Sequence, residues 1–207
     1  MKLWSDGFKD GTRLPEEYAF AKPHPTQHAQ LSKNRNPHLA WSGLPPDTQS
    51  LVLIVHDMDV PTKPDDVNQE GRTVPFGLSR ADFFHWVLVD LSPASPIQAG
   101  QFSAGVTPHD KPGPQGPDGT RQGVNDYTGW FQGDKDMEGA YFGYDGPGPP
   151  WNDERLHHYF FTLYALQTKR CPVEGSFTGP QVLKAIEGSV LGKAVLSATY
   201  AIYPGAR

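Results

Sequence analysis

LVLIVHDMDVP, residues 51–61, is the stretch on which the reading of this chain turns. Five apolar residues, three of them β-branched, run straight into His56, Asp57 and Asp59 and stop at Pro61. An unbroken apolar run of this length predicts a strand from Ser50 to His56 that is buried on both faces. Such a strand needs cover on two sides, and the carboxylates at its exit need partners or water. It therefore organises the fold and delivers ionisable groups to one end of it.

Two more strands stand out further along the chain. FFHWVLVDL, residues 83–91, alternates so that strict period two puts His85, Val87 and Val89 on one face and Phe84, Trp86 and Leu88 on the other. LHHYFFTLYAL, residues 156–166, sends His157, Tyr159, Phe161 and Leu163 one way and His158, Phe160, Thr162 and Tyr164 the other. Near the carboxy terminus the period changes: Thr178 is placed to cap a helix with Gln181 reaching back, and Leu183, Ile186 and Val190 follow at helical spacing. One or two short helices are expected there, and SATYAIYP closes the chain as a last strand. Residues 1–30 read as irregular, with a short strand near Trp4–Phe8, and another is expected at His38–Ser42. The segment 58–82 reads as an extended loop. Residues 92–153 form a long Pro/Gly-rich tract in which Trp130, Phe131, Tyr141, Phe142 and Tyr144 predict local packing.

The bulk numbers agree with a mainly β chain. With 22 Gly and 21 Pro there are many turns and little long helix, and 207 residues suit a single domain over 1–207 with an irregular insertion around 92–143. A net charge of -5 argues against a surface that tracks nucleic acid, so any anion has to be held locally. The amino terminus lacks an apolar leader and no run approaches the roughly 20 residues that span a bilayer. A cytoplasmic protein is the default expectation. Cys171 is the only cysteine, which excludes an internal disulfide and a thiolate metal cluster, and its RCPVEG context reads as an inert loop thiol.

Asp57 ends one strand, His85 begins the next and His157 opens a third. If the strands are neighbours, one cavity at one end of the sheet gathers an acid and two imidazoles, walled by the glycines and prolines of YDGPGPP, residues 144–150. Imidazoles and backbone amides donate to an anion, while a carboxylate beside them orients a histidine and raises its pKa. Taken singly, His56, His85 and His158 each read as structural, and Asp59 reads as a turn residue. The coincidence of Asp57, His85 and His157 is what favours a ligand site.

HDMDVP, FFHW and YDGPGPP followed by LHHYFFTLYAL resemble motifs of the phosphatidylethanolamine-binding protein family, in its bacterial branch of Raf kinase inhibitor-like proteins. The likeness extends over NPHLAWSGLPPDTQSLVLIVHD, RQGVNDY and VLKAIEGSVLGKAVLSATY. It implies a Greek-key β-sandwich with short carboxy-terminal helices and an anion pocket at one end. It also implies the pocket residues: Asp57 and Asp59 from a D-P-D-x-P motif, His85 from the His-Trp strand, Gly148 from the Gly-Pro-Pro wall, and His157 and Tyr159 from a G-x-H-R-Y motif. A cis peptide before Pro61 is a further implication. The chain departs from the pattern at Met58, where relatives carry proline, and at Arg155 and His158, where the glycine and arginine of G-x-H-R are replaced. FQGDKDMEGAYFG, residues 131–143, is extra length for which a lid over the pocket or a homodimer contact is expected.

The function implied is a non-catalytic protein that holds an anionic or phosphorylated small molecule resembling a phospholipid headgroup, and that modulates a partner protein. No cofactor is expected. The alternative is a metal-dependent phosphoester hydrolase in which Asp57, Asp59, His85 and His157 ligate a divalent ion and activate water; no HExxH or G-x-S-x-G supports an enzyme. A pure interaction domain is the third class, and an exposed aromatic patch within 127–144 would mark it.

Overall fold

The computed structural model describes all 207 residues. In chain order the strands are β1 (Lys2–Trp4), β2 (Thr12–Arg13), β3 (Ala21–His24), β4 (His28–Leu31), β5 (Ala40–Ser42), β6 (Ser50–Pro61), β7 (Arg80–Leu91), β8 (Arg121–Gln122), β9 (His157–Leu166) and β10 (Val190–Tyr200). The helices are α1 (Tyr127–Trp130) and α2 (Gly179–Ile186). The run that begins at Leu51 lies inside a six-stranded sheet of order β2-β10-β9-β6-β7-β8, flanked by β9 and β7, both antiparallel to it. Residues 51–55 of β6 are buried, as an unalternating apolar run requires.

Each face of this sheet has its own cover. Leu51, Leu53 and Val55 join Trp86, Tyr159, Phe161 and Leu196 in the main core, closed from outside by Leu3, Phe8, Leu14, Leu39 and Tyr144. The two-stranded ribbons β1-β5 and β3-β4 belong to this outer layer. On the opposite face Val52 and Ile54 pack with Val87, Val89 and Phe177 beneath Val182 and Ile186 of α2. Burying each such side chain contributes on the order of 1.5–3 kcal/mol. α2 begins as its residues predict, the Gln181 Oε1 accepting from the Thr178 N–H at 2.9 Å. It comes close to β7 because residue 179 is glycine: a Cβ there would collide with the Phe84 ring. The architecture is a mainly β Greek-key sandwich whose sheets are not closed, with one α-helix, α2, between β9 and β10.

Several expectations change in the structure. β6 does not end at His56 but continues to Pro61, pairing Val60 with Ala81 across a register slip after Asp57. β7 correspondingly starts at Arg80. Its strict alternation fails at a bulge, where consecutive pairs Val55–Trp86 and His56–Phe84 leave His85 as the extra residue. Phe84 therefore joins Val87 and Val89 on the α2 face, and His85 shares the face of Trp86. Val190, expected at helical spacing, is the first residue of β10, which starts well before SATYAIYP; Ile202 lies beyond it. The amino-terminal region holds β1 to β4 rather than one strand, each short enough to depend on its partner, as β1 does on β5. The peptide before Pro61 is not cis; the cis bond is Gly113–Pro114. Within 92–143, Tyr141 and Phe142 are buried, as is Tyr144 just beyond, while Trp130 is 41% exposed, so no aromatic patch is left on the surface there. No helix is long and apolar enough to cross a membrane.

Candidate functional site

The ends of β6, β7 and β9 meet. Asp57 pairs with Phe83 on one side and with Tyr159 on the other, so the three strands bring Asp57, His85, His157 and Tyr159 to a common cup. The cup holds about 300 Å³ of empty space, counting its open mouth. Gly148, Pro149 and Pro150 form one wall, and Val60, Phe83, Tyr127 and Trp130 complete it. Gly148 has a steric reason to be glycine, since a Cβ would lie 2.7 Å from the Tyr127 hydroxyl. That hydroxyl donates to the Gly146 carbonyl at 2.8 Å and so ties the wall to α1.

On the β9 side the polar groups form a buried chain of alternating charge. Arg80 donates two bonds to Asp153, at 2.6 and 3.0 Å. Asp153 Oδ2 lies 3.1 Å from His157 Nε2, and His157 Nδ1 lies 2.6 Å from Asp57 Oδ2. The side chains of all four are nearly solvent-free. Burial alone would push the His157 pKa down, but the Asp57 charge and the bonds from Asp153 and Asp57 outweigh it and carry the value up to about 9. His157 is thus an imidazolium with both nitrogens committed. For Asp153 burial works upward, and the bonds from His157 and Arg80 overcome it and leave the pKa lowered.

On the β7 side the balance is reversed. His85 Nδ1 sits 2.8 Å from the Asp145 carbonyl oxygen. Burial takes its pKa down to about 4, with Asp57 and the Asp145 carbonyl offsetting only part of that, so the ring is neutral. The Asp145 carboxylate is turned away and held by Asn34 and Asn125, each at 2.7 Å, and by Lys111 at 3.2 Å. By geometry His85 Nε2 and the Tyr159 hydroxyl are buried and make no hydrogen bond within the protein, while burial and the nearby Asp57 carboxylate push the Tyr159 pKa up. In the Gly-Pro-Pro wall only Gly148 has an N–H, and it donates to no protein acceptor.

Of the expected residues, Asp57, His85, Gly148, His157 and Tyr159 line the cup and Asp59 does not. Asp59 Oδ2 instead accepts from the backbone N–H and the ring of His158, at 3.0 and 2.9 Å, and Oδ1 lies 3.5 Å from Arg155. Its link to the cup is its own N–H, which donates to Asp57 Oδ1 at 2.7 Å. Period two explains the separation, since residues 57 and 59 would share a face only in a regular strand and the slip after Asp57 breaks that rule. His158 and Arg155, which replace the arginine and glycine of the motif, are thus the groups that hold Asp59. The expectation that both imidazoles donate to a ligand also fails: His157 has no free N–H, and His85 offers a lone pair. Of the four proposed metal ligands Asp59 lies outside the cup and both His157 nitrogens are bonded to carboxylates, and no three His, Cys, Asp or Glu side chains are arranged to hold a metal ion.

Sequence reasoning missed Arg80, Asp153, Tyr127 and Asp145. Asp153 stands four residues before His157, a spacing that signals a pair only once both are known to be buried. Nothing local marks Arg80 or Asp145.

The chain is 31% identical to a UPF0098 protein of Methanothermobacter thermautotrophicus over 97% of its own length and 98% of that protein's. It is 27% identical to the UPF0098 protein YbhB of Escherichia coli, covering 97% of this chain and 99% of the relative. Among solved structures, CT736 of Chlamydia trachomatis, described as a phosphatidylethanolamine-binding protein homolog, superposes with a TM-score of 0.62 at 26% identity, over 96% of this chain and 95% of that one. YbcL of E. coli, described as a member of the mammalian family, shares the fold with a TM-score of 0.65 at 24% identity, over 97% of each chain. Residues 4–201 match the family model for phosphatidylethanolamine-binding protein, and the chain belongs to that family.

Proposed function

We propose that the cup holds an anionic or phosphorylated small molecule, that no covalent step follows, and that occupancy of the cup tunes contact with a partner protein. Family membership supports a binding protein in general. The observation that carries the finer reading is the set of unspent polar groups: His85 Nε2, the Tyr159 hydroxyl and the Gly148 N–H. Buried polar atoms are rarely left unpaired, because each costs about 1–3 kcal/mol, so a cup that keeps two of them beside the half-buried Gly148 N–H favours a polar guest. Nothing comparable supports a nucleophile or an activated water, since the one strongly charged imidazole is already neutralised on both sides.

Thermal unfolding of the full chain with and without phosphate tests this. At about a hundredfold excess over Kd a ligand that binds only the folded state adds ~2.7 kcal/mol. Protection by phosphate that is lost in Tyr159→Phe and in His85→Ala supports the site. Protection that survives both substitutions places the anion elsewhere.

A further inference from the structure

Donors and acceptors are unequally distributed around the cup. The Asp145 carbonyl that meets His85 Nδ1 has no hydrogen to give, so Nδ1 must carry the ring proton. His85 is 3% exposed and its ring is neutral, which leaves Nε2 as a bare lone pair. The Gly146 backbone also lies near the ring and opposes the fall of its pKa, but only the Asp145 carbonyl meets a ring nitrogen in hydrogen-bond geometry, and the other groups facing the ring do not change this. Asp57 and His157 act on it with opposite charge, Phe83, Tyr127 and Tyr159 present ring edges and faces, and the Asp145 carboxylate is spent on Lys111, Asn34 and Asn125. No hydrogen in the protein is directed at Nε2. The cup therefore presents Nε2 as a neutral acceptor with no partner, beside the Asp57 carboxylate that His157 and the Asp59 N–H already engage, together with two donors, the Tyr159 hydroxyl and the Gly148 N–H.

We infer that His85 makes the cup selective for tetrahedral oxyanions that still carry a proton: hydrogen phosphate or the monoanion of a phosphomonoester, in preference to sulfate, the dianion of a phosphomonoester or a phosphodiester. The inference rests on the reading of the cup as an anion site. In it the protonated oxygen donates to Nε2 while the other oxygens accept from Tyr159 and Gly148. A fully ionised oxyanion sets lone pair against lone pair, and a diester lacks the hydrogen. Free phosphate and a phosphorylated headgroup share this chemistry.

The test titrates the full chain, at matched ionic strength, with inorganic phosphate, sulfate, glycerol phosphate and glycerophosphoethanolamine. Phosphate should bind at least about tenfold more tightly than sulfate at acid pH, because the lost bond leaves Nε2 buried and unpaired. Glycerol phosphate should exceed the diester, and its affinity should fall about tenfold per pH unit above its second pKa of about 6. The relative strength of phosphate and glycerol phosphate distinguishes a free ion from an esterified headgroup as the better-fitting source. Sulfate matching phosphate, the diester matching the monoester, or a flat pH profile overturns the selectivity while leaving the anion site standing. Protection by none of the four at any pH overturns the site and the selectivity with it. Nitrogen-15 NMR of the unliganded protein tests the tautomer without any ligand or substitution: a bare Nε2 at neutral pH is expected, and a proton on Nε2 defeats the inference. His85→Gln, which supplies an amide hydrogen beside its oxygen, should narrow the gap between phosphate and sulfate; an unchanged gap assigns the discrimination to another group.

Discussion

Two histidines line one cup and are held in opposite states. His157 touches two carboxylates through its two nitrogens and is charged. His85 is equally buried but meets Asp145 only through a backbone carbonyl, so desolvation wins and the ring stays neutral. The difference lies in which oxygen of the neighbouring aspartate faces the ring. Lys111, Asn34 and Asn125 decide it by drawing the Asp145 carboxylate away. One imidazole becomes a structural cation and the other a lone-pair acceptor that no group of the protein uses.

The largest blow to this contrast should come from Asp153→Asn. It leaves Arg80 and His157 as buried cations with one carboxylate fewer, and removing one partner of a buried ion pair costs roughly 3–5 kcal/mol. Urea unfolding measures the loss, and a change below about 1 kcal/mol would mean the chain of charges is not sustained in solution.

A smaller and more graded test is the dependence of stability on pH. The folded His157 value of about 9 lies above the ordinary 6.5, so its contribution is complete below pH 6.5 and is lost as pH rises through 9. The folded His85 value of about 4 lies below 6.5; the unfolded chain gains the proton first, and stability is lost as pH falls from 6.5 toward 4. The two together predict a maximum near pH 6.5, with slopes of at most roughly 1.4 kcal/mol per pH unit on either side. Unfolding midpoints that rise steadily from acid to alkaline pH would break the contrast on the His157 side.

The smallest effect is expected from Tyr159→Phe measured without ligand. Its buried hydroxyl makes no hydrogen bond, so removing it should not destabilise the fold, and a gain of up to about 1 kcal/mol is expected. A large loss would mean that the hydroxyl is already engaged, and would sharpen the cup to a single free acceptor.

Much of the fold is legible in the residues. The apolar run at 51–55 and the alternation within 157–166 correspond to β6 and β9, and Thr178 with Gln181 opens α2. Five of the six expected site residues line the cup, and the exception, Asp59, is displaced by one irregularity of register. That slip and the bulge at His85 are not readable from periodicity, because a bulge is defined by its partner strand. The same holds for β1 and β2, which are too short to carry a pattern and exist through pairing with β5 and β10.

The sequence by itself determined the three long strands β6, β7 and β9 and that an acid, two imidazoles, a tyrosine and a Gly-Pro-Pro wall stand at their ends, since apolar periodicity and turn chemistry are local properties. Tertiary structure alone decided what those groups are chemically. His157 owes its charge to Asp57, 100 positions away, and His85 its tautomer to a carbonyl 60 positions on. Protonation and donor direction depend on the field and the hydrogen-bond partners at a point in space, and only the folded chain brings those partners there.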